Sequence, residues 1–326
     1  MDANKEIEDL LVVGSDPDES IKIKPIRLKK YKNAKGNEML LSEPTIEGIA
    51  KYITEKPCKS IVVLSGAGVS TNSGIPDVRT PGSGLYYTID PKSVPYPHAI
   101  FEIRTFRKNP RALYNMLYPY LNGNYKPTLC HYFITLLQKK NVLLKNYTLN
   151  ADDLEKLAGV NEDKLGQVYG TFNRFSCLLC KDESSARWVK RKLDMGQTPK
   201  CDCGGIIKPK IFFYGEALPQ LFCHNMAQDM KKCDLLIILG SSLSDEPIAS
   251  MPFLVDKKCP RLVINGTPLS RSLDFEFNTS IAKDVFWQGD CEDGCVRLVD
   301  LLGWTNHLHA IQQDSLNRNV NRHSPI

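Results

Sequence analysis

The chain has 326 residues and a mass of 36.7 kDa, with 42% hydrophobic and 24% charged residues, which fits one large domain or two. The mean hydropathy is −0.28, and no apolar run approaches the roughly 18 residues that a membrane span needs, so we expect no membrane partner. The acidic start MDANKEIEDLL lacks the basic and apolar regions of a secretion signal. It predicts a protein of the nucleus or cytoplasm that is not secreted.

The formal net charge of +5 is unevenly distributed along the chain. Residues 1–20 carry a net charge of −6 and residues 21–37 a net charge of +7, which leaves +4 for the remainder. So small a charge lacks the concentrated basic face of a nucleic-acid-binding protein, and we expect no direct nucleic-acid partner. Because the opening segment also lacks apolar periodicity, residues 1–40 are predicted to form a disordered charged tail.

The first predicted element is an amphipathic helix over residues 45–55. Short apolar runs that alternate with helical patterns follow it. The runs predict strands at residues 60–64, 142–147, 211–214, 235–239, 261–264 and 284–287, and the patterns predict helices at 110–117, 129–139, 218–231 and 292–302. This alternation is typical of a parallel sheet covered on both faces. The predicted fold class is α/β, with a Rossmann-like, doubly wound parallel sheet.

Residues 172–208 interrupt this alternation, because they contain no long apolar strand. Two close cysteine pairs, Cys177 with Cys180 and Cys201 with Cys203, are separated by 20 residues. Such spacing allows four thiolates to bind one zinc ion, although the second pair reads C-x-C where C-x2-C is usual. Four protein ligands leave no open position for water, so the zinc would be structural. The alternative is four reduced thiols in a loop; we favour a small inserted zinc module.

The strand predicted at residues 60–64 continues into a glycine-rich turn, Gly66-Ala67-Gly68. Glycines at such a junction let the backbone turn tightly and approach a pyrophosphate. The longer run GAGVSTNSGIPDVRTPGSGLY closely resembles the sirtuin signature GAGxSxxSGIPDFRxPxxGLY. The resemblance extends over about residues 42–304 and is strongest to the eukaryotic branch that deacetylates histones and tubulin. It implies a catalytic domain over residues 41–307, with the zinc module inserted, and a C-terminal tail at 308–326.

The resemblance implies an NAD-dependent protein-lysine deacetylase that binds NAD or ADP-ribose together with acylated lysine peptides such as histone tails. In such enzymes a histidine acts as base on the ribose hydroxyls while the acyl group passes to the sugar. The positions that match the cofactor site are Gly66, Ala67, Gly68, Asp77, Arg79, Leu149, Asn150, Asp152, Gly240, Ser242 and Asn265, and Asn150 also matches a catalytic position. The positions that match the substrate-binding segments are Tyr214, Gly215, Glu216 and Asp245.

Two positions depart from the family pattern where the chemistry needs them most. Tyr169 stands where the family has the catalytic histidine, and Leu149 stands where it has a ribose-binding glutamine. A phenol with a pKa of about 10 stays protonated near neutrality, whereas an imidazole with a pKa of about 6.5 can accept a proton. Val78, in place of a shielding phenylalanine, and Asp245, in place of an apolar residue, add to the changes. We therefore expect weak or lost deacetylase activity.

Two other functions remain open from the sequence. One is an active NAD-dependent deacylase that uses a substitute base. The other is a mono-ADP-ribosyltransferase, which breaks the nicotinamide bond without the later histidine-dependent steps. His131 lies within a matched motif but on an apolar helical pattern, so we interpret it as a core histidine and not as a substitute base.

Overall fold

The computed structural model describes residues 40–322, except for residues 57, 245–247, 271–272 and 278–282. The predicted charged tail lies outside the described residues, apart from Leu40. In chain order the strands are β1 (Ile61–Ser65), β2 (Leu143–Thr148), β3 (Leu165–Gln167), β4 (Gly170–Cys177), β5 (Glu183–Ser185), β6 (Ile207–Ile211), β7 (Leu235–Leu239), β8 (Arg261–Asn265) and β9 (Asp284–Gln288).

Five of the described α-helices lie at predicted positions, and the other four were not predicted. They are α1 (Ile46–Glu55), α2 (Ile103–Lys108), α3 (Pro110–Asn122), α4 (Leu129–Lys139), α5 (Leu154–Ala158), α6 (Ala186–Asp194), α7 (Gln220–Lys231), α8 (Cys291–Leu301) and α9 (Thr305–Arg322). Local chemistry sets several of their starts. The Thr45 hydroxyl accepts from the backbone N–H of Gly48 at the start of α1, and Thr128 and His131 form a capping box at the start of α4.

The main sheet is parallel, with strand order β3-β2-β1-β7-β8-β9. Both of its faces are covered. Along β1, Ile61 and Val63 pack into the apolar cluster that contains residues of α1, α4 and α8. The intervening Val62 and Leu64 pack into a second cluster, on the face covered by α7. Because side chains alternate between the faces of a strand, burial on both faces requires the continuous apolar runs seen in the sequence. The predicted Rossmann-like fold is confirmed.

A smaller antiparallel sheet, of order β5-β4-β6, forms the core of a second lobe with α2, α3 and α6. One prediction was wrong here. Residues 211–214 are no strand of the main sheet, because β6 ends at Ile211 and pairs with β4, and Phe213 is instead buried in the second lobe. The strand β4, which runs into residues 172–208, was not predicted, because its side chains are only partly buried and give no continuous apolar run.

The last described helix, α9, starts before the boundary that the sequence suggested at residue 307. Its Leu308 is 1% exposed and packs into the same core cluster as α4 and α8. The main domain therefore includes part of the segment predicted as a C-terminal tail. Within the described part of the chain, no helix is long and apolar enough to cross a membrane.

Candidate functional site

The candidate site lies where β2, β1, β7 and β8 end side by side. In open α/β sheets, ligands bind outside the carboxyl ends of the strands, where the strand order reverses. Here the chain passes from β1 to β2 on one side of β1, while β7 lies on the other side. A cavity of about 580 Å³ opens at this edge, a size typical of small-molecule and cofactor sites.

Two glycine turns pack against each other on the floor of the cavity. Gly68 donates its N–H to the carbonyl of Gly240 at 2.9 Å. A Cβ atom on Gly68 would lie 2.7 Å from the Gly240 Cα, and Gly240 itself has φ of +59°. Neither position tolerates a side chain without movement of the backbone. Because neither residue carries a side chain, their backbone lines the cavity directly, as the approach of a pyrophosphate requires.

A hydrogen-bonded group of side chains forms one wall of the cavity. Ser70 donates to Asp152 Oδ2 at 2.8 Å, and the Asn150 amide donates to the carbonyl of Gly66 at 3.0 Å and to the Ser70 hydroxyl at 3.2 Å. Burial raises the pKa of Asp152, opposed by hydrogen bonds from Leu154 and Ser70. Ser70 was not among the predicted site residues, although its place two residues after the second glycine of G-A-G could have revealed it.

Tyr169 and Leu149 both line this cavity. Both are half-buried, and both pack against the apolar cluster on the α7 face of the sheet. Leu149 follows directly after β2, and Tyr169 directly precedes β4, so each is held by a strand end. These two departures from the family pattern therefore lie on the lining of the same cavity.

Most other predicted site residues also line the cavity. They are Gly66, Ala67, Gly68, Asp77, Arg79, Asn150, Asp152, Gly240, Ser242, Asn265, Tyr214 and Glu216. Gly215 is not among the lining residues and has φ of +87° in its loop. Asp245 lies outside the described residues. An aromatic wall of Tyr86, Phe101, Tyr120 and Phe172 was not predicted, because these residues come from separate segments.

The loop at residues 214–216 is held by contacts of its own. Glu216 Oε2 lies 2.6 Å from Lys208 Nζ and accepts from the backbone N–H of Phe213 at 3.0 Å. Tyr214 donates its N–H to the carbonyl of Phe101 at 2.8 Å. Glu216 thus fixes the shape of the loop.

The predicted zinc ligands come together in the second lobe. All four sulfurs of Cys177, Cys180, Cys201 and Cys203 lie within 4.8 Å of one another. Three of the separations, Cys177 to Cys203, Cys180 to Cys201 and Cys180 to Cys203, are 3.5 Å. Sulfurs arranged tetrahedrally at a Zn–S distance of about 2.3 Å lie about 3.8 Å apart. The cluster is therefore compatible with one structural zinc ion.

The unusual C-x-C pair is accommodated by the two glycines that follow it. Gly204 has φ of +85° and donates its N–H to the carbonyl of Cys201 at 2.8 Å. A Cβ atom on Gly205 would lie 2.4 Å from the sulfur of Cys177. The sequence Cys-Asp-Cys-Gly-Gly thus turns back sharply enough to bring both sulfurs to the cluster.

Comparison with known proteins agrees with this geometry. Residues 66–247 match the family model described as the Sir2 family. A zebrafish (Danio rerio) protein named NAD-dependent protein deacetylase sirtuin-2 is 41% identical over 292 residues, which cover 84% of this chain and 76% of the relative. A Dictyostelium discoideum protein named NAD-dependent deacetylase sir2A is 42% identical, over 83% of this chain and 54% of the relative. A Schizosaccharomyces pombe protein named NAD-dependent protein deacetylase hst2 is 40% identical, over 84% of this chain and 81% of the relative.

Proposed function

The chain belongs to the Sir2 family, and we propose that it binds NAD or ADP-ribose in the cavity but has weak or no deacetylase activity. The observation that carries the proposal is that Tyr169 and Leu149 both line that cavity. Acylated lysine peptides, such as histone tails, are the proposed partners at the loop of residues 214–216.

The residues present suit a dinucleotide. The glycine turns offer backbone close to the cavity, and Asn150 and Asp152 offer polar atoms for the nicotinamide and its ribose. Bound NAD supplies the reactive sugar carbon and releases nicotinamide. The work left to the protein is to orient the cofactor, to exclude water and to remove a proton from a ribose hydroxyl.

Proton removal is the step for which this site is poorly equipped. A general base contributes a factor of about 10² to 10⁴ to the rate. Tyr169 carries a phenol where an imidazole would act, and phenols ordinarily stay protonated below about pH 10. Leu149 offers no hydrogen bond to a ribose hydroxyl. Tyr169 can donate to such a hydroxyl, which helps binding but leaves the proton in place.

A substitute base would have to reach the cavity, and His131 does not. The ring is 0% exposed, it is not among the cavity-lining residues, and burial lowers the pKa of His131 to about 3. The second candidate function is mono-ADP-ribosyl transfer. It is favoured by the hydrogen-bonded group of Ser70, Asn150 and Asp152, which matches the nicotinamide side of the family site and does not depend on Tyr169.

The deciding experiment incubates the purified chain with NAD and an acetylated histone peptide and measures nicotinamide and acetyl-ADP-ribose. We expect far less of both products than from an active relative assayed in parallel. Turnover within about tenfold of that relative would overturn the proposal. Nicotinamide release with ADP-ribose attached to protein, and without acetyl-ADP-ribose, would instead support the transferase function.

A pair of substitutions tests the cause of the loss. Tyr169→His together with Leu149→Gln should raise acetyl-ADP-ribose formation by about 10² or more, because the pair restores a base and a ribose partner. Tyr169→Phe is the matched control, since it removes the hydroxyl without adding a base, and it should stay inactive. No gain in the double variant would place the defect elsewhere, with Val78 the first position to test.

A further inference from the structure

A group of buried polar side chains lies directly behind the cavity, at the ends of β1 and β2. Ser65, Asn146, Glu155 and His131 are all 0% exposed. The Ser65 hydroxyl lies 3.1 Å from Asn146 Oδ1 and 3.3 Å from Glu155 Oε1. The group adjoins Asp152, which lines the cavity. Nothing in the proposed chemistry uses these four residues, so their burial needs an explanation.

Three atoms of this group are buried without a hydrogen-bond partner among the residues that the structure describes: His131 Nε2, Asn146 Nδ2 and Glu155 Oε2. Buried polar atoms are nearly always paired, with protein or with a buried water. Ligand atoms of His131, Glu155 and Asp152 lie within 4.8 Å of one another. A single atom can therefore lie about 2.8 Å from all three ligand atoms, and 2.8 Å is a hydrogen-bond length. One bridging water can therefore join the three side chains.

The hydrogen-bond chemistry favours a water over a metal ion. The backbone N–H of Thr128 donates to His131 Nδ1 at 3.1 Å. A neutral ring that accepts at Nδ1 carries its proton at Nε2, which then faces the cluster as a donor and offers no lone pair to a metal. The orphan Asn146 amide nitrogen is a donor as well. The donors His131 Nε2 and Asn146 Nδ2 thus lie beside the carboxyl groups of Asp152 and Glu155. This arrangement suits a bridging water and one proton held by the carboxyl pair.

The two carboxyl groups cannot both be ionised at low cost. Asp152 accepts one hydrogen bond at each oxygen, from Ser70 and from the backbone N–H of Leu154, and such bonds favour its ionised form. Glu155 has an orphan oxygen, and burial, followed by the charge of Asp152, raises the pKa of Glu155 to about 8. At neutral pH the charge lies on Asp152 and the proton on Glu155.

The other titratable groups near the pair do not change this assignment. His131, from α4, is neutral because burial lowers its pKa to about 3. Tyr120 faces Asp152 and stays neutral, since burial raises its pKa to about 12. Asp153, on the loop before α5, is paired with Lys156 at 3.3 Å.

We propose that Glu155, although outside the cavity, is a positioning residue for the nicotinamide end of NAD. It donates its proton, directly or through a bridging water, towards Asp152 and so holds that carboxylate in place on the cavity wall. The inference rests on the proposed function, because it assumes that NAD binds with its nicotinamide beside Asp152.

The test measures the dissociation constants of NAD and ADP-ribose by calorimetry for the full chain, Glu155→Gln and Glu155→Ala, at pH 7 and pH 9. ADP-ribose lacks nicotinamide and so reports the rest of the site. At pH 7, Glu155→Gln, which keeps a neutral donor, should bind NAD within about twofold of the parent. Glu155→Ala should weaken the binding of NAD about tenfold, which corresponds to about 1.4 kcal/mol. It should weaken the binding of ADP-ribose less than twofold.

The pH profile separates positioning from simple structural support. Glu155 is a donor below a pH of about 8 and loses its proton above it, so the preference of the parent chain for NAD over ADP-ribose should fall between pH 7 and pH 9. Glu155→Gln cannot ionise, and its preference should stay constant.

The outcomes distinguish this inference from the proposed function. If the parent chain binds neither ligand, both are overturned. If it binds NAD but Glu155→Gln keeps the pH profile of the parent, only the role of Glu155 is overturned, and this holds even if Glu155→Ala fails to fold. A metal ion in addition to zinc that is lost in Glu155→Gln, measured by elemental analysis, would replace the proton-sharing pair with a metal site.

Discussion

At the residue scale, His131 and Glu155 tie the stability of the fold to pH in opposite directions. The folded-state pKa of Glu155, about 8, lies above the ordinary value of 4.5, so its contribution to stability is lost as pH rises towards 8. The folded-state pKa of His131, about 3, lies below the ordinary value of 6.5, so its contribution is lost as pH falls below 6.5. Between pH 6.5 and pH 8, only Glu155 of these two residues makes the free energy of unfolding depend on pH.

We therefore expect the free energy of unfolding to fall by about 2 kcal/mol from pH 6.5 to pH 8, at about 1.4 kcal/mol per pH unit for one proton. Glu155→Gln should remove this slope. Urea denaturation at three pH values in that range measures it. Glu55→Gln is the matched control, since it makes the same Glu-to-Gln change at a side chain that is 62% exposed. Equal slopes in both variants would contradict the assignment.

Single residues also show what the sequence could and could not predict of the site. Residues one or two positions after a strand end, such as Gly66 and Asn150, were predicted because motif and position coincide. Glu155 was not found, because its importance depends on burial against Ser65 and His131, which lie 90 and 24 residues away in the chain. A pattern of neighbouring residues carries no information about such a contact.

At the element scale, the turns after β1 and β7 act as one structure. Gly240 has φ of +59°, and a Cβ atom on it would lie 2.7 Å from the backbone of Gly68. Gly303, after α8, has φ of +68°, but the described atoms leave open space within 4 Å of its Cβ position. Both glycines have a left-handed backbone conformation, but only Gly240 lies too close to a neighbouring backbone to accommodate a Cβ atom.

Gly240→Ala should therefore lower the free energy of unfolding by about 1–3 kcal/mol more than Gly303→Ala does. Both variants incur the cost of about 1–2 kcal/mol for a side chain in the left-handed region. Chemical denaturation measures the difference, and calorimetry should show ADP-ribose binding lost in Gly240→Ala alone. Similar destabilisation in the two variants would mean that the turns can separate freely.

The elements also explain where sequence-based prediction of the fold failed. Strands buried on both faces, such as β1 and β7, read as continuous apolar runs and were predicted within one or two residues. The three-residue β3 and the half-exposed β4 lack such runs. Residues 211–214 were predicted as a strand because they are apolar, yet all four line the cavity. An apolar run predicts that a segment is buried, but the tertiary contacts decide whether it packs within the main sheet or against other elements.

At the scale of the whole molecule, the second lobe, which contains the four-cysteine cluster, lines part of the cavity but does not provide its glycine floor. Asp153, on the main domain, accepts hydrogen bonds from two residues of β4 in the lobe, Thr171 at 2.6 Å and Asn173 at 2.9 Å. It contributes Phe172 and residues 211–214 to the wall of the cavity. Its core is a separate apolar cluster.

Loss of zinc should therefore unfold the lobe and spare the main domain. Cys180→Ala should reduce zinc from one ion per chain to a small fraction, measured by elemental analysis, because three thiolates bind the ion much less tightly. Trp188, on α6 of the lobe, should report the change by fluorescence.

ADP-ribose affinity should stay within about threefold, since the glycine turns lie on the main sheet, whereas affinity for an acetyl-lysine peptide should fall at least tenfold. Cys223→Ala, on α7 outside the lobe, is the control. Full zinc content in Cys180→Ala, or equal loss of both ligands, would show that the two lobes do not fold separately.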